Sequence, residues 1–384
     1  MIISFSSILQ KKFYGSTYEL LGKVFDDLIE KSEVKPREID GLFLTFLPGV
    51  FDGKPNLLLF SLQVSSILGI KPRKIDIVDY GGPSALTLLY RAYRLVEMGE
   101  INNGLIIVGG KSSVLREKKV TVDSIDKLYD IPITPNDEYF RVYEDLNPIS
   151  DYALVANRHK ALFNSTDEQR ASIAAKQRKN AIYNEKALYK EELSLEQVLS
   201  SRVVCDPLRL LEIVYPIDGF NLFLVSRKGR NTDFRDLKIS FYNEAHWPEM
   251  PPDLPDIIYT PAIESSRGVS LSEIDAFELY DSFTITVLLQ AEDIGLTEKG
   301  KGGKFFEDTD ISYKGEMPVN TGGGTLNTGQ PAFMSGGVLL EEALLQLNNM
   351  AKGHQVKDVR KVLINGIGGW NRGHSVTVVI GEVK

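Results

Sequence analysis

Cysteine is almost missing from this 384-residue chain, which carries one, Cys205. A lone cysteine excludes an internal disulfide framework and a cysteine-rich zinc site, and it fits a reducing, cytoplasmic setting. Histidine is scarce too, with four residues scattered along the sequence, which leaves little for a metal centre. Neither sign of charge dominates: 44 Lys and Arg stand against 52 Asp and Glu, for a net charge of −8. Such a balance sets up no field able to hold a phosphate backbone, so nucleic acid is excluded as the main partner.

Long apolar runs are missing as well. The longest uncharged window, Met317 to Leu340, has the length of a bilayer span but is broken by Pro318, Gly322, Gly323, Gly324, Gly329, Pro331, Gly336 and Gly337. It reads as a glycine-rich loop running into a helix, not as a membrane span. The N-terminal stretch from Met1 has no basic leader and no small-residue cleavage site, and reads as a strand. The familiar phosphate and hydrolase signatures are also lacking. Gly300 to Lys304 misses the Walker spacing, and no G-x-G-x-x-G, G-x-S-x-G or H-E-x-x-H pattern occurs in a suitable context.

What is present is ordinary globular composition, 43% hydrophobic and 25% charged, enough chain for two or three compact units. Leu20, Leu21, Val24, Phe25, Leu28 and Ile29 recur at helical spacing, and Glu38 to Leu44 then reads as a buried strand. The alternation repeats with a strand at Lys74 to Asp79, a break at Gly81-Gly82, a helix from Ser84 to Met98 and a strand at Gly104 to Gly109. This order predicts a parallel sheet in an α/β fold. The second half echoes the first: Glu273 to Leu279 matches Glu38 to Leu44, and Gly322 to Gly324 and the strand Val362 to Ile364 follow in the same order.

The expected organisation is a first half over residues 1–110 plus 216–260, an inserted segment over 111–215, and a second half over 261–384. Within the insertion, Thr121 to Tyr143 is irregular and acidic, and Ser165 to Glu168 reads as a capping box for a helix reaching about Asn184. Its charged helices read as solvated faces. Gly219 to Ser226 and Leu237 to Tyr242 read as strands completing the first half, and Trp247 to Pro255 as a proline-rich connector.

Four glycine-flanked turns at strand ends carry the chemical interest: Asp79 to Ser84, Tyr280 to Thr284, Asn320 to Gly324 with Gly329 to Pro331, and Asn365 to Gly369. In a duplicated α/β protein they converge, and their exposed N–H groups and helix N-termini suit a thioester or enolate oxygen. By these turns, together with Ser201 to Leu208 before Asp218-Gly219 and the run Lys304 to Asn320, the sequence resembles the thiolase superfamily over nearly its whole length. It is most similar to the sterol-carrier-protein and lipid-transfer branch. The resemblance implies a five-layered (αβαβα) fold of two duplicated βαβαβαββ halves, an inserted loop domain, and usually a homodimer formed through the first half.

Carried over residue by residue, the resemblance implies an unusual site. The nucleophile position falls on Gly82, in Gly82-Pro83-Ser84-Ala85, and the family's histidine is Tyr280 in Tyr-Asp-Ser-Phe. Gln330 stands in the Gly-His-Pro motif, and Asn365 lies near the C-terminal cysteine position. Covalent acyl transfer therefore loses its nucleophile. A branch of the superfamily cleaves β-hydroxyacyl-CoA thioesters by retro-aldol chemistry with tyrosine in place of the histidine, and Tyr280 fits that change. Its phenol is the candidate proton carrier, with Asp281 to tune or orient it. Gln330 and the backbone N–H groups of Gly82 and Gly368 are candidates for enolate stabilisation, and His374 is a further proton carrier.

Each of these residues has a plain structural alternative. Tyr280 is a packed residue, Ser84 a helix cap beside the nucleophile position, Asp281 a turn residue and His374 a structural histidine. Cys205 matches the insertion boundary and reads as an inert thiol. The implied ligand is a coenzyme A thioester as substrate, with no covalently bound cofactor and no metal. The implied partners are a second copy and a small OB-fold, zinc-ribbon protein. A catalytically silent subunit that binds acyl-CoA or lipid and scaffolds another enzyme is the second reading, and acetyl-CoA acetyltransferase-type transfer with an atypical site the third. Arg170, Arg178 and Arg209 are basic candidates for the nucleotide phosphates, with no spacing to choose among them.

Overall fold

A computed structural model describes residues 1–45, 59–113, 148–227, 233–247, 256–332, 335–369 and 373–383. The first sheet runs in the order β1-β7-β4-β2-β3. Its strands are β1 (Ile2–Gln10), β2 (Gly41–Leu44), β3 (Lys74–Ile77), β4 (Asn103–Lys111) and β7 (Pro216–Ser226). The short β5 (Val203–Cys205) and β6 (Leu208–Arg209) form a separate hairpin. The expected parallel sheet is only partly found. β2 pairs in parallel with β3 and β4, while β7 lies antiparallel between β1 and β4 because it enters from the inserted segment and not from a crossover helix.

Strand alternation divides the side chains of this sheet between two cores. Leu105 and Ile107 of β4 and Phe220, Leu222 and Leu224 of β7 pack outward on helix α1 (Thr17–Ser32) and helix α2 (Phe60–Leu68). Helix α1 is started by a capping box in which Ser16 and Glu19 each accept from the other's backbone N–H, at 3.1 and 2.6 Å. Ile106 and Val108, with Phe223 and Val225, face inward to the central core. There helix α3 (Ser84–Met98) lies between the sheets.

Helices α4 (Pro148–Phe163), α5 (Asp167–Ala181) and α6 (Leu195–Ser200) belong to the inserted segment, and α7 (Ala262–Ser265), α8 (Thr284–Asp293), α9 (Gly302–Asp308), α10 (Gly324–Thr328) and α11 (Ser335–Leu347) to the second half. The second sheet runs β8-β12-β11-β9, from β8 (Leu237–His246), β9 (Ala276–Leu279), β11 (Lys361–Gly368) and β12 (His374–Glu382). β10 (Gln330–Pro331) pairs instead with β7. Helix α11 packs beside α3 in the middle layer, and α7 and α8 cover the far face of the second sheet. The result is five layers, helix–sheet–helix–sheet–helix, a thiolase-like architecture. No helix among the described residues is long and apolar enough to cross a membrane.

Two expectations need correction. Leu237–His246 does not complete the first half: it pairs along its length with β12, so the strands of the 216–260 stretch are shared between the two sheets. Periodicity shows that a segment is a strand but not which edge accepts it. The insertion helix α5 is no solvated face, for Arg170, Gln177, Arg178 and Asn180 are all buried in it. Each has a bonded partner far along the chain, which makes the burial tolerable. Its capping box lies one residue later than expected, on Thr166 and Gln169, because Ser165 Oγ is engaged by His159 Nδ1 at 2.8 Å. The acidic 121–143 stretch and the connector beyond Trp247 lie outside the described residues.

Candidate functional site

The Gly81–Ser84 turn opens helix α3. Gly81 has φ +64°, and the turn closes through Ser84, whose N–H donates to Gly81 O at 3.1 Å and whose Oγ accepts from the Tyr80 N–H at 2.8 Å. Ser84 is fully buried at the first position of α3, where its hydroxyl closes the turn and does not cap the helix, contrary to the expected capping role. The Gly82 carbonyl accepts from Gly336 N at 3.1 Å, so the N-terminal ends of α3 and α11 meet at this peptide. From the other side comes β11. A Cβ on Gly366 would stand 2.9 Å from Pro83 Cα, and one on Gly368 would stand 2.3 Å from Tyr80 O and 2.7 Å from Gly82 N. Glycine at 366 and 368 lets the two backbones touch.

Tyr280 completes this contact. A Cβ on Gly82 would lie 2.2 Å from Tyr280 Cε2 and 2.6 Å from Ile367 O. The ring thus takes the space that any side chain on residue 82 would need. Tyr280 follows β9, and its backbone is held on both sides. Its N–H donates to Asn365 O and to Gln290 Oε1, both at 3.0 Å, and its carbonyl accepts from Gln290 Nε2 at 2.7 Å and Thr286 Oγ1 at 2.9 Å.

Asp281 does not orient Tyr280. Its carboxylate turns toward helix α10 and α5, accepting from Thr325 N at 3.0 Å, Thr325 Oγ1, Leu326 N at 3.1 Å and Gln177 Nε2 at 3.0 Å. Complete burial pushes its pKa up to about 6 against the pull of those donors. Its role is to tie the second turn to the third. Ser282 makes the neighbouring tie, donating from Oγ to Gln330 Oε1, while Gln330 N donates to Tyr215 O at 3.0 Å. Asn365 points away from the turns, its Nδ2 donating to Thr377 Oγ1 at 2.8 Å and Ser375 Oγ at 3.2 Å.

His374 stands opposite Gly368 on β12 and opposite His246 on β8. The two imidazoles share a hydrogen bond, Nδ1 to Nδ1 at 2.9 Å, and the Tyr80 ring stacks on His374 at 4.9 Å between centroids. Burial, with His246 beside it, lowers the His374 pKa despite the nearby Glu244 carboxylate. A Cβ on Gly369 would reach within 2.7 Å of its ring, which places His374 at the rim of the glycine contact.

The remaining candidates lie elsewhere. Cys205 ends β5, paired across the hairpin with Leu208. Arg170 is buried in an ion pair with Glu212, Nε to Oε1 at 2.6 Å, and Arg178 is buried against Asn327 Oδ1 and Glu191 O. Neither is presented to a nucleotide. Arg209, half-buried, donates to Ser201 O at 3.1 Å. Sequence reasoning missed Gln177, Gln290 and Thr325, polar groups whose partners no motif marks, and gave no role to Ser282 and Asn320 although they lie in turns it singled out.

Residues 245–381 match the family "Thiolase C-terminal domain-like". An acetyl-CoA acetyltransferase of Methanothermobacter thermautotrophicus is 29% identical over 62% of this chain and 64% of its own length. A 17-hydroxy-3-oxo-4-pregnene-20-carboxyl-CoA lyase of Mycobacterium tuberculosis is 26% identical over 58% of this chain and 57% of its own. In both cases the matched segment spans less than two thirds of the relative. Among solved structures, the aldolase "Ltp2-ChsH2(DUF35)" superposes with a TM-score of 0.82 at 22% identity, covering 99% of this chain and 97% of that one.

Proposed function

For a thiolase-superfamily chain of the sterol-carrier-protein-like kind, built around a glycine where side-chain chemistry is expected, we propose non-covalent carbon–carbon cleavage of a β-hydroxyacyl-CoA thioester, with Tyr280 carrying the proton. One observation carries the reading: the Tyr280 ring fills the space beside Gly82. Residue 82 offers no nucleophile and leaves no room for one, while a phenol stands at that point. Acting as the phenolate, Tyr280 draws the proton from the β-hydroxyl, the Cα–Cβ bond breaks with its electron pair moving into the thioester as an enolate, and an aldehyde or ketone leaves. The proton then returns to Cα and gives the shortened acyl-CoA.

The developing enolate oxygen needs donors that are already in place. The N-terminal ends of α3 and α11 meet at Gly82, and Gln330, whose amide oxygen accepts from Ser282, is the proposed side-chain donor. The relatives support both lyase and transferase chemistry for the superfamily, and the Gly82–Tyr280 contact favours the former here. Calorimetric titration with coenzyme A and a short β-hydroxyacyl-CoA, with free pantetheine as control, tests the pocket. Product analysis tests the reaction. Binding without turnover of any β-hydroxyacyl-CoA moves the reading to a silent scaffold, and an acyl adduct in the intact mass after acetyl-CoA overturns it in favour of transfer.

The proposed assembly is a homodimer through the first half, in a cytoplasmic setting. Among the described residues β3 ends the first sheet, with Ile75 and Ile77 41% and 50% exposed, and Leu62 and Ile67 of α2 are exposed as well. An apolar edge with no partner strand among the described residues suits a subunit contact. The two-component makeup of the similar Ltp2-ChsH2(DUF35) aldolase supports a second partner, a small OB-fold, zinc-ribbon protein at the acyl-CoA channel. Light scattering of the chain alone, then with such a partner, separates the two assemblies.

A further inference from the structure

Behind the strand that carries Tyr280, four buried side chains stand in line: Glu278, Thr321, Glu342 and His354. Glu278 Oε1 lies 2.9 Å from Thr321 Oγ1, that hydroxyl lies 2.8 Å from Glu342 Oε1, and His354 Nε2 lies 3.1 Å from the same Glu342 oxygen. Thr321 Oγ1 also accepts from Gln346 Nε2 at 3.1 Å. A hydroxyl has one proton to give, yet two carboxyl oxygens sit within bonding distance of this one. Both contacts are hydrogen bonds only when one of the two acids bears a proton and donates it to Thr321.

His354 decides which acid that is. Its Nδ1 faces the Lys352 carbonyl at 3.2 Å, an acceptor, so Nδ1 carries hydrogen, and the Glu342 carboxylate holds the ring as an imidazolium against the cost of burial, so that Nε2 also donates, to Glu342. Glu342 also accepts from Gln346 Nε2 at 2.8 Å, which makes it the natural seat of the negative charge. Among the described residues no cation is paired with Glu278. Glu342 across the layer and Asp281 along the chain both repel a charge there. Its Oε2 has no hydrogen-bond partner among the described residues. That atom's residue lines a cavity of about 20 Å³ with Glu341, Glu342, Asn184 and Lys186, whose ammonium is committed to Glu341. The cavity has room for about one water to donate to a carbonyl-type oxygen.

We propose that Glu278 stands in the folded protein as a neutral carboxylic acid donating to Thr321, a proton-bearing latch that fixes the strand end positioning Tyr280. The loop it grips holds each neighbour of the tyrosine. Thr321 N donates to Glu278 Oε1 at 3.1 Å, and the Asn320 amide brackets Leu279, accepting from its N–H at 2.7 Å and donating to its carbonyl at 3.0 Å. Thr325 and Leu326 hold Asp281. Burial and the Glu342 charge push the Glu278 carboxyl well above its ordinary range, and the His354 imidazole draws Glu342 down, in agreement with the proton count.

The latch rests on the tyrosine reading only for its effect on turnover, and its protonation is tested without turnover. Infrared spectra of the whole protein at about pH 8, above the Asp281 pKa of about 6, are expected to show the carbonyl stretch of a protonated carboxylic acid. Glu278→Gln is expected to remove that band, and Glu342→Gln, which withdraws a charge that helps keep the proton on Glu278, to shift its loss to lower pH. A wild-type spectrum without the band, or a band that survives in Glu278→Gln, overturns the proposal. Stability supplies the second readout. As pH rises above about 4.5 the wild type loses stability, because the unfolded chain has shed the proton that native Glu278 keeps, and the decline ends where the native acid ionises. A smaller decline in Glu278→Gln is expected, and an equal decline overturns the latch. If Glu278→Gln does not fold, the alkaline loss of the wild-type band decides the matter: it is expected at the pH where that decline levels off, and a band lost anywhere else overturns the latch.

Discussion

Tyr280 and Gly82 exclude one another's alternatives: the tyrosine Cε2 lies 2.2 Å from where a Cβ on residue 82 would stand. A side chain at 82 and the aromatic ring at 280 cannot both be present without movement, and Ile367 O closes the other side at 2.6 Å. Gly82→Cys is therefore expected to destabilise the fold by about 1–3 kcal/mol through overpacking. Tyr280→Ala restores the space, so the double variant recovers part of the loss. A double-mutant cycle by denaturant unfolding is expected to give a favourable coupling of about 0.5–3 kcal/mol, and additive effects would show that the ring yields freely.

Tyr280→Phe keeps the ring in this contact and removes only the hydroxyl. Affinity for a β-hydroxyacyl-CoA is expected to stay near the wild-type value, while turnover falls by about 10²–10⁴-fold, the usual contribution of a positioned proton carrier. Calorimetry and product analysis on the same sample read both quantities. Unchanged turnover would remove Tyr280 from the chemistry.

Asp281 carries a pH signature of its own. Its pKa rises from 3.8 to about 6 on folding, so between these values the native state holds a proton that the unfolded chain has released. Stability from this group is full below about pH 4 and declines as pH rises to about 6, by about 3 kcal/mol in all. Asp281→Asn is expected to flatten that segment of the stability profile while losing part of the bonding to Thr325 and Leu326. A profile with the same slope would place the titration on another group.

How much of this was legible beforehand follows from the range of the interactions. The duplicated α/β order and the glycine turns are local patterns, and the convergence of Gly82 and Gly368 follows from them, whereas Gly336, outside those turns, is brought to Gly82 by the fold. The burial of α5 was not legible, because Arg170, Gln177 and Asn180 look solvated until Glu212, Asp281 and the carbonyls of Ile311, Val319 and Asn320 are brought to them by the fold. The pairing of β8 was hidden for a related reason: its alternation suits either sheet, and only the free edge of β12 selects one. Asp281 was singled out by position beside Tyr280, yet adjacent residues on an extended strand point to opposite sides, and its partners lie on helices that no motif connects to it.

His374 offers an acid-side test. Its pKa lies below the ordinary 6.5, lowered by burial and by His246, so the native state resists a proton that the unfolded chain accepts. The stability it contributes is full above about pH 6.5 and is lost as pH falls through the lower folded value. His374→Gln is expected to shrink that acid loss, measured by thermal unfolding between about pH 7 and pH 5, without touching the Asp281 or Glu278 segments.

Gln177 links the inserted segment to the floor of the site, since its Nε2 donates to Asp281 Oδ2 at 3.0 Å from the middle of α5. Replacing it with leucine leaves the volume nearly unchanged but strands one carboxylate oxygen short of a donor, at a cost of about 1–3 kcal/mol. The donor favours the ionised form of Asp281, so its loss raises that pKa further. The destabilisation must then depend on pH in a definite direction: small near about pH 4, where Asp281 is protonated in either protein, and largest above about pH 7, where the wild type holds a bonded anion and the variant a poorly bonded one. Denaturant unfolding at the two pH values measures the difference directly. A cost that is equal at both would mean that Gln177 contributes only packing, and that the insertion supports the site by shape and not by charge.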